Sequence, residues 1–169
     1  GKGVYTNSLT KTFTIRPETM ASAVITGCKA KYSYTGKQVK PLIQVVWNGK
    51  ILRNNSDYTL LYKNNKKRGS AGIVVTGKGN YSGTLTASFT IVRASVKKAS
   101  VTGLKAVYAR TGKAVKPKVT VKLGGKKLKK KRDYILSYRK NKKKGTALLY
   151  VKGVGNYSGT KKMTGIRVR

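Results

Sequence analysis

The chain has 169 residues, 39 of them Lys or Arg and three acidic, giving a formal net charge of +36 with no His and one Cys. Without His and with only Glu18, Asp57 and Asp133, it lacks the groups for general acid–base work, a calcium cage or a zinc site, so it is read as a non-enzyme with no cofactor and no metal. One Cys makes no intrachain disulfide, 38% apolar residues suffice for one or two small cores, and no run of about 18 apolar residues spans a membrane.

In chain order, Gly1-Lys2-Gly3-x-Tyr5 and then Leu9, Thr10, Phe13, Thr14 and Ile15 open the sequence as a strand-like segment. They match Gly77-Lys78-Gly79-x-Tyr81 and Leu85, Thr86, Phe89, Thr90 and Ile91 further on. Pro17 interrupts pairing in the joint Arg16-Pro17-Glu18-Thr19. Beyond it, apolar residues alternate with polar ones at period two: Ile43, Val45, Trp47; Tyr58, Leu60, Tyr62; Ala71, Ile73, Val75; then Phe89 and Ile91. Asn48-Gly49 between two such runs predicts a tight hairpin. Gly77-x-Gly79 lacks the Gly-Lys-Ser/Thr ending of a phosphate loop and reads as a turn.

After a second joint at Arg93-Ala94-Ser95 the pattern starts again. Val119, Val121 and Leu123, then Tyr134, Leu136 and Tyr138, then Ala147, Leu149 and Val151 occupy the same phases. The offset is 76 residues without a gap, and 33 of the 62 residues from 23 to 84 are identical to their partners. The predicted organisation is therefore a C-terminal strand of a preceding repeat at 1–18, one repeat at 19–94 and a more basic one at 95–169. The opening in mid-repeat suggests a longer tandem array. The predicted fold class is all-β: tandem small antiparallel β-sandwiches, each about 76 residues and held by packing alone. The last strand breaks the pattern. Lys161, Lys162 and Gly165 stand where Leu85, Thr86 and Phe89 predict an apolar face, and Ile166 and Val168 restore it through a bulge or register shift.

Tyr32-x-Tyr34-Thr35-Gly36-Lys37, Asp57-Tyr58-x-Leu60-x-Tyr62-x-Asn64-Asn65 and Gly77-Lys78-Gly79-Asn80-Tyr81-Ser82-Gly83-Thr84 carry a resemblance. In two copies and a tail, the chain resembles bacterial extracellular Ig-like repeats, found in tandem in surface and secreted proteins of gut Firmicutes and Actinobacteria. The resemblance implies an Ig-like sandwich, an extracellular or cell-surface location, and a non-catalytic role as stalk, spacer or attachment module. It implies no fixed ligand, and this chain departs from it in having almost no acids.

Individual residues have plain readings. Asp57 and Asp133, at equivalent positions, suit turns in which a short acid accepts backbone N–H groups; a Lys–Asn/Asp isopeptide crosslink using them as the neighbouring acid stays open. Cys28, opposite Leu104 in the alignment, suits a small buried apolar site. Trp47 suits the core better than a sugar-stacking platform, and most of the 11 Tyr recur between repeats as scaffold, leaving Tyr34 and Tyr150 without counterparts.

Charge is the departure that asks for a function. Residues 1–93 hold 15 Lys or Arg and residues 94–169 hold 24. In the second repeat Lys126, Lys127, Lys129, Lys130, Lys131 and Arg132 form one run, and Arg139, Lys140, Lys142, Lys143 and Lys144 another. They flank one predicted strand, so they fall about 20 Å apart as a stripe. Lys66, Lys67 and Arg68 are the weaker counterpart in the first repeat. Solubility alone accepts either sign of charge; near-total removal of acids points to attraction for a polyanion. Lys acts as a point charge and suits low-specificity contact with a repeating anionic polymer. Teichoic acid of the cell envelope is the first polymer expected, with host sulfated glycan (glycosaminoglycan or mucin) and extracellular DNA next. The rival readings are a stalk kept extended by its charge, an adhesin for the host glycan, and strand exchange with a neighbouring chain through residues 5–15. No groove-reading helix or RNP-type aromatic motif indicates sequence-specific nucleic-acid binding.

Overall fold

In the computed structural model, residue 3 and residues 9–169 are described, and apart from one 3₁₀ turn every regular element is a strand. The first series is β1 (Glu18–Thr19), β2 (Val24–Thr26), β3 (Lys31–Ser33), β4 (Gln44–Trp47), β5 (Lys50–Leu52), β6 (Tyr58–Lys63), β7 (Gly69–Gly77), β8 (Tyr81–Ser82) and β9 (Thr84–Val92). The second is β10 (Ala94–Ser95), β11 (Ser100–Thr102), β12 (Val107–Tyr108), β13 (Thr120–Leu123), β14 (Lys126–Lys127), β15 (Tyr134–Arg139), β16 (Gly145–Gly153), β17 (Tyr157–Ser158) and β18 (Thr160–Val168), with the 3₁₀ turn Val96–Lys98 after β10. Every strand of the first series begins 76 residues before its counterpart, so the sequence repeat is a repeat of structure.

Each series forms a three-stranded sheet (β2-β4-β5; β11-β13-β14), a four-stranded sheet (β3-β9-β7-β6; β12-β18-β16-β15) and a short two-stranded pair (β1-β8; β10-β17). Two compact units emerge: Gly1–Gly27, Ile43–Leu61 and Ile73–Ala87 in one; Cys28–Leu42, Tyr62–Gly72 and Ser88–Arg169 in the other. The division falls among the strands of the first series, and the second unit holds β10–β18 entire.

Within that second unit, period-two alternation sends Val121 of β13 and Tyr134 and Val151 of β15 and β16 into one core with Leu128, Val96 and Tyr157. The three- and four-stranded sheets thus share their buried faces, as in a sandwich. A second cluster gathers Ala147, Leu149, Ile166 and Val168. Burying each such Leu, Ile or Val contributes about 1.5–3 kcal/mol.

Turn chemistry follows the residues. Asn48 and Gly49 both have positive φ (45° and 77°), the arrangement that matches hairpin twist, and Gly124 and Gly125 repeat it at 54° and 76°. Most pairings are antiparallel as expected, and the sheets are mixed in that β12 lies parallel to β18 and β3 parallel to β9. β11 and β12 belong to one stretch that changes sheets. The change passes Gly103, whose φ of 88° an L side chain rarely adopts, so β12 enters the second sheet already running alongside β18.

The bulge expected in the last strand is present. Ala147 pairs with Ile166 but Leu149 pairs with Met163, so β18 carries one extra residue there, and Gly165 supplies a φ of 82°. Hence Ile166 and Val168 are buried, one position beyond the alignment partners of Phe89 and Ile91.

Asp57 and Asp133 serve their turns. Asp57 Oδ2 accepts from Arg53 N and Asp133 Oδ2 from Lys129 N, both at 2.8 Å. Asp133 is buried and also takes a bidentate pair from the Arg132 guanidinium, at 2.9 Å on each oxygen. That guanidinium, together with the Lys129 N–H, holds the carboxyl below the usual carboxylate value against burial, which pushes it up. A depressed folded-state value contributes stability that is full above about pH 4 and is lost as pH falls through it. Asp133→Ala should therefore lower stability by about 1–3 kcal/mol at neutral pH, through the orphaned Lys129 N–H. It should also remove part of the acid-unfolding dependence, both read from urea midpoints at pH 7 and pH 3.

Two further expectations change. Cys28 is half-buried rather than core, its Sγ 3.7 Å from the Lys29 carbonyl. Trp47 is also half-buried, its indole N–H donating to Thr19 O at 2.9 Å while its ring meets Tyr81 edge-on. The opening strand is not formed over residues 9–15, where Leu9, Phe13 and Ile15 are largely exposed; residues 5–8 lie outside the described ones. The reason is topological. The slots that this sequence would fill, between β3 and β7 and between β12 and β16, are already occupied by β9 and β18.

Candidate polyanion-binding surface

The residues of both lysine runs are exposed, and so are Lys66, Lys67 and Arg68. β15 carries the first run at its start and the second at its end, so the geometry is the expected stripe. Lys126 and Lys127 form β14. Leu128 then turns inward, buried, with its N–H on Val121 O at 2.9 Å, which pins the run to the core in its middle. Lys129, Lys130 and Lys131 follow in the turn that Asp133 closes, where Lys131 N donates to Tyr134 O at 2.7 Å. Arg132 is partly committed, since its guanidinium is the one that pairs with Asp133. Arg139 ends β15 with its guanidinium 5.7 Å from the Tyr150 ring centre, a cation–π contact.

The second run bends into a cup. Asn141 fixes it: its side-chain amide donates to Val115 O at 2.7 Å and its carbonyl accepts from Val115 N at 2.8 Å. Lys140, Lys142, Lys143 and Lys144 with Gly145 and Thr146 then line a depression of about 530 Å³. The first repeat builds the same cup. Asn65 bonds Val39 in the same two ways, and Lys66, Lys67 and Arg68 line a depression of about 500 Å³. Both cups lie in the same compact unit.

Sequence reasoning missed what joins the two runs. Tyr150 pairs with Lys162, and Lys152 with Thr160. With Arg139, these exposed lysines put cations across the outer face of the four-stranded sheet, and Ser137, Arg139, Tyr150, Lys152 and Thr160 line a hollow of about 280 Å³ there. Finding this face needs the register of β16 against β18, which the bulge shifts. In the first repeat the aligned residues are Thr76 and Thr86, so the cationic face is particular to the second.

The accessible surface is 12367 Å². Thirty-six net charges spread over it lie about 18 Å apart, beyond the roughly 8 Å screening length at physiological salt. Within the runs neighbours fall inside that length, so the repulsion concentrates where a polyanion would relieve it. Among the described residues no cluster of three or more metal-ligating side chains occurs, and no helix is long and apolar enough to cross a membrane. No protein-family model, no curated protein and no solved structure matches the chain.

Proposed function

We propose that the chain is a pair of extracellular Ig-like repeats of a bacterial surface or secreted protein. In this reading the cationic face of the second repeat attaches the parent to an anionic polymer of the cell envelope, of the teichoic acid type. The family and location rest on the motif resemblance and on the exact 76-residue spacing.

The observation that carries the binding reading is where lysines replace asparagines. Asn55 and Asn64 occupy left-handed backbone positions, with φ of 68° and 53°. Asn tolerates that region. At the same places the second repeat has Lys131 (72°) and Lys140 (55°). A lysine there costs about 1 kcal/mol of backbone strain. A chain that needed charge only for solubility has many exposed sites with ordinary angles. Lysine at strained sites, within the two runs, carries a cost that contact with an anionic ligand would offset.

The test is Lys131→Asn with Lys140→Asn. Stability should rise by up to about 1 kcal/mol per site, while affinity for immobilised teichoic acid falls several-fold. A stalk whose charge only solvates it gives the gain in stability with unchanged retention.

A further inference from the structure

In the first repeat Trp47 stands edge-on to Tyr81, ring centres 5.4 Å apart at 77°, and Lys50 Nζ donates to the Tyr81 hydroxyl at 3.1 Å. The second repeat keeps the tyrosine and the lysine as Tyr157 and Lys126 but has Leu123 in place of the tryptophan. The smaller side chain leaves the ring of Tyr157 without its partner. Tyr34, from the end of β3, takes that place with centres 5.8 Å apart at 85°, and Lys126 now stands 5.7 Å over the Tyr34 ring. Beside these rings lies a hollow of about 530 Å³, lined by Tyr34, Tyr157, Leu123, Lys97, Lys98 and Lys126 among others. All of these residues belong to one compact unit.

Lys126 and Tyr157 are common to both repeats, but other residues that line this hollow differ. Leu123 stands for Trp47, Lys97 and Lys98 stand for Ala21 and Ser22, and Tyr34 has Arg110 as its counterpart. The cups, by contrast, are common to both repeats. We infer that this hollow is a subsite for a single anionic sugar ring, a carboxylated or sulfated hexose within a polymer. Its volume falls in the range of small-molecule sites. No acidic side chain lines it, so it does not suit a cation. A half-exposed tyrosine beside a leucine offers an apolar face to a ring, and three amines serve its acidic substituent. An open chain of glycerol phosphates has no ring to place there. The inference rests on the polyanion reading only for bringing the polymer to this surface.

The test is an amide-resolved NMR titration of the whole chain with four probes: an unsulfated uronate disaccharide, its sulfated form, its neutral methyl ester, and a glycerol phosphate oligomer. Both acidic disaccharides should shift Ser95, Leu123, Gly124 and Lys126, the ester should bind about tenfold more weakly, and the glycerol phosphate should shift residues 140–146 instead. Preference for the sulfated disaccharide assigns the subsite to host glycosaminoglycan, and preference for the unsulfated one to an envelope uronate polymer, each bound in addition to the glycerol phosphate polymer at residues 140–146. Leu123→Trp restores the residue that the first repeat accommodates and alters no charge. It should weaken disaccharide binding about tenfold or more while leaving retention on long polyanions intact. Lys97→Ala with Lys98→Ser, the first repeat's own residues, should remove the preference for acid over ester. Acidic disaccharides that shift only the cups, or that bind Leu123→Trp as they bind the parent, would overturn the subsite and leave the polyanion reading standing. Loss of long-polymer binding with the disaccharide site intact would do the reverse.

Discussion

Replacing Lys126, Lys127, Lys129, Lys130, Lys131, Lys140, Lys142, Lys143 and Lys144 with Gln is expected to lower affinity for teichoic acid about 1000-fold at low salt. Each lysine near an anionic surface contributes about 1 kcal/mol, and a polymer following the stripe engages about half of the nine at once. Arg132 and Arg139 stay in place because the first pairs with Asp133 and the second lies over Tyr150. Fold and stability should change little, since all nine side chains are exposed and Lys126 gives up only its ring contact with Tyr34. The check is binding to immobilised polymer with a circular-dichroism melt of the same variant. The same nine substitutions confined to scattered lysines elsewhere should have a far smaller effect, because isolated charges are screened.

The largest expected effect on stability comes from a glycine. Gly153 closes β16, and its N–H donates to Gly159 O at 2.9 Å. A Cβ there would lie 2.7 Å from Ser158 N, 2.8 Å from Ser158 O and 2.9 Å from Tyr157 C, all backbone atoms. Neither segment can yield without parting β17, which carries Tyr157 into the core, from the end of β16. Gly153→Ala should cost about 3 kcal/mol or more, and Gly77→Ala, which meets the Tyr81 and Ser82 backbone at 2.8–2.9 Å, should do the same in its own repeat. Gly125→Ala is the control. It has a φ of 76° but open space around its Cβ, so it should cost only about 1 kcal/mol. Urea midpoints separate the two cases.

Those glycines also show what the sequence made legible. The Gly-x-Gly pair was readable as a turn rather than a phosphate loop, since no helix pattern follows it. What forces glycine at its first position is the approach of a second backbone, which no local pattern carries. The Asn48-Gly49 hairpin was readable because its requirement for positive φ is local. So was the bulge before Ile166: apolar residues one place late in an alternating strand leave few alternatives. The parallel course of β12 beside β18 was not, because a two-residue strand has no period and its direction is set where the chain changes sheets after Gly103.

The candidate surface divides in the same way. Runs of cations are visible in any sequence, and the stripe follows once the strand between them is recognised. Lys152 and Lys162 were missed because they join the face only through the pairing of β16 with β18. Arg132 looked as available as its neighbours until the burial of Asp133 placed a carboxylate beneath it. Tyr34 had one visible signal, the lack of a tyrosine at position 110, but its partner Tyr157 lies more than a hundred residues away in sequence.

The central claim is that the charge exists to hold an anionic polymer. Its most direct test is retention of the purified chain on bacterial cell walls, with and without their teichoic acid, across a salt titration. The account predicts retention that disappears when teichoic acid is stripped. It also predicts that log affinity falls linearly with log salt, with a slope near −0.7 to −0.9 for each anionic group contacted. Equal, salt-insensitive retention on both walls would contradict it.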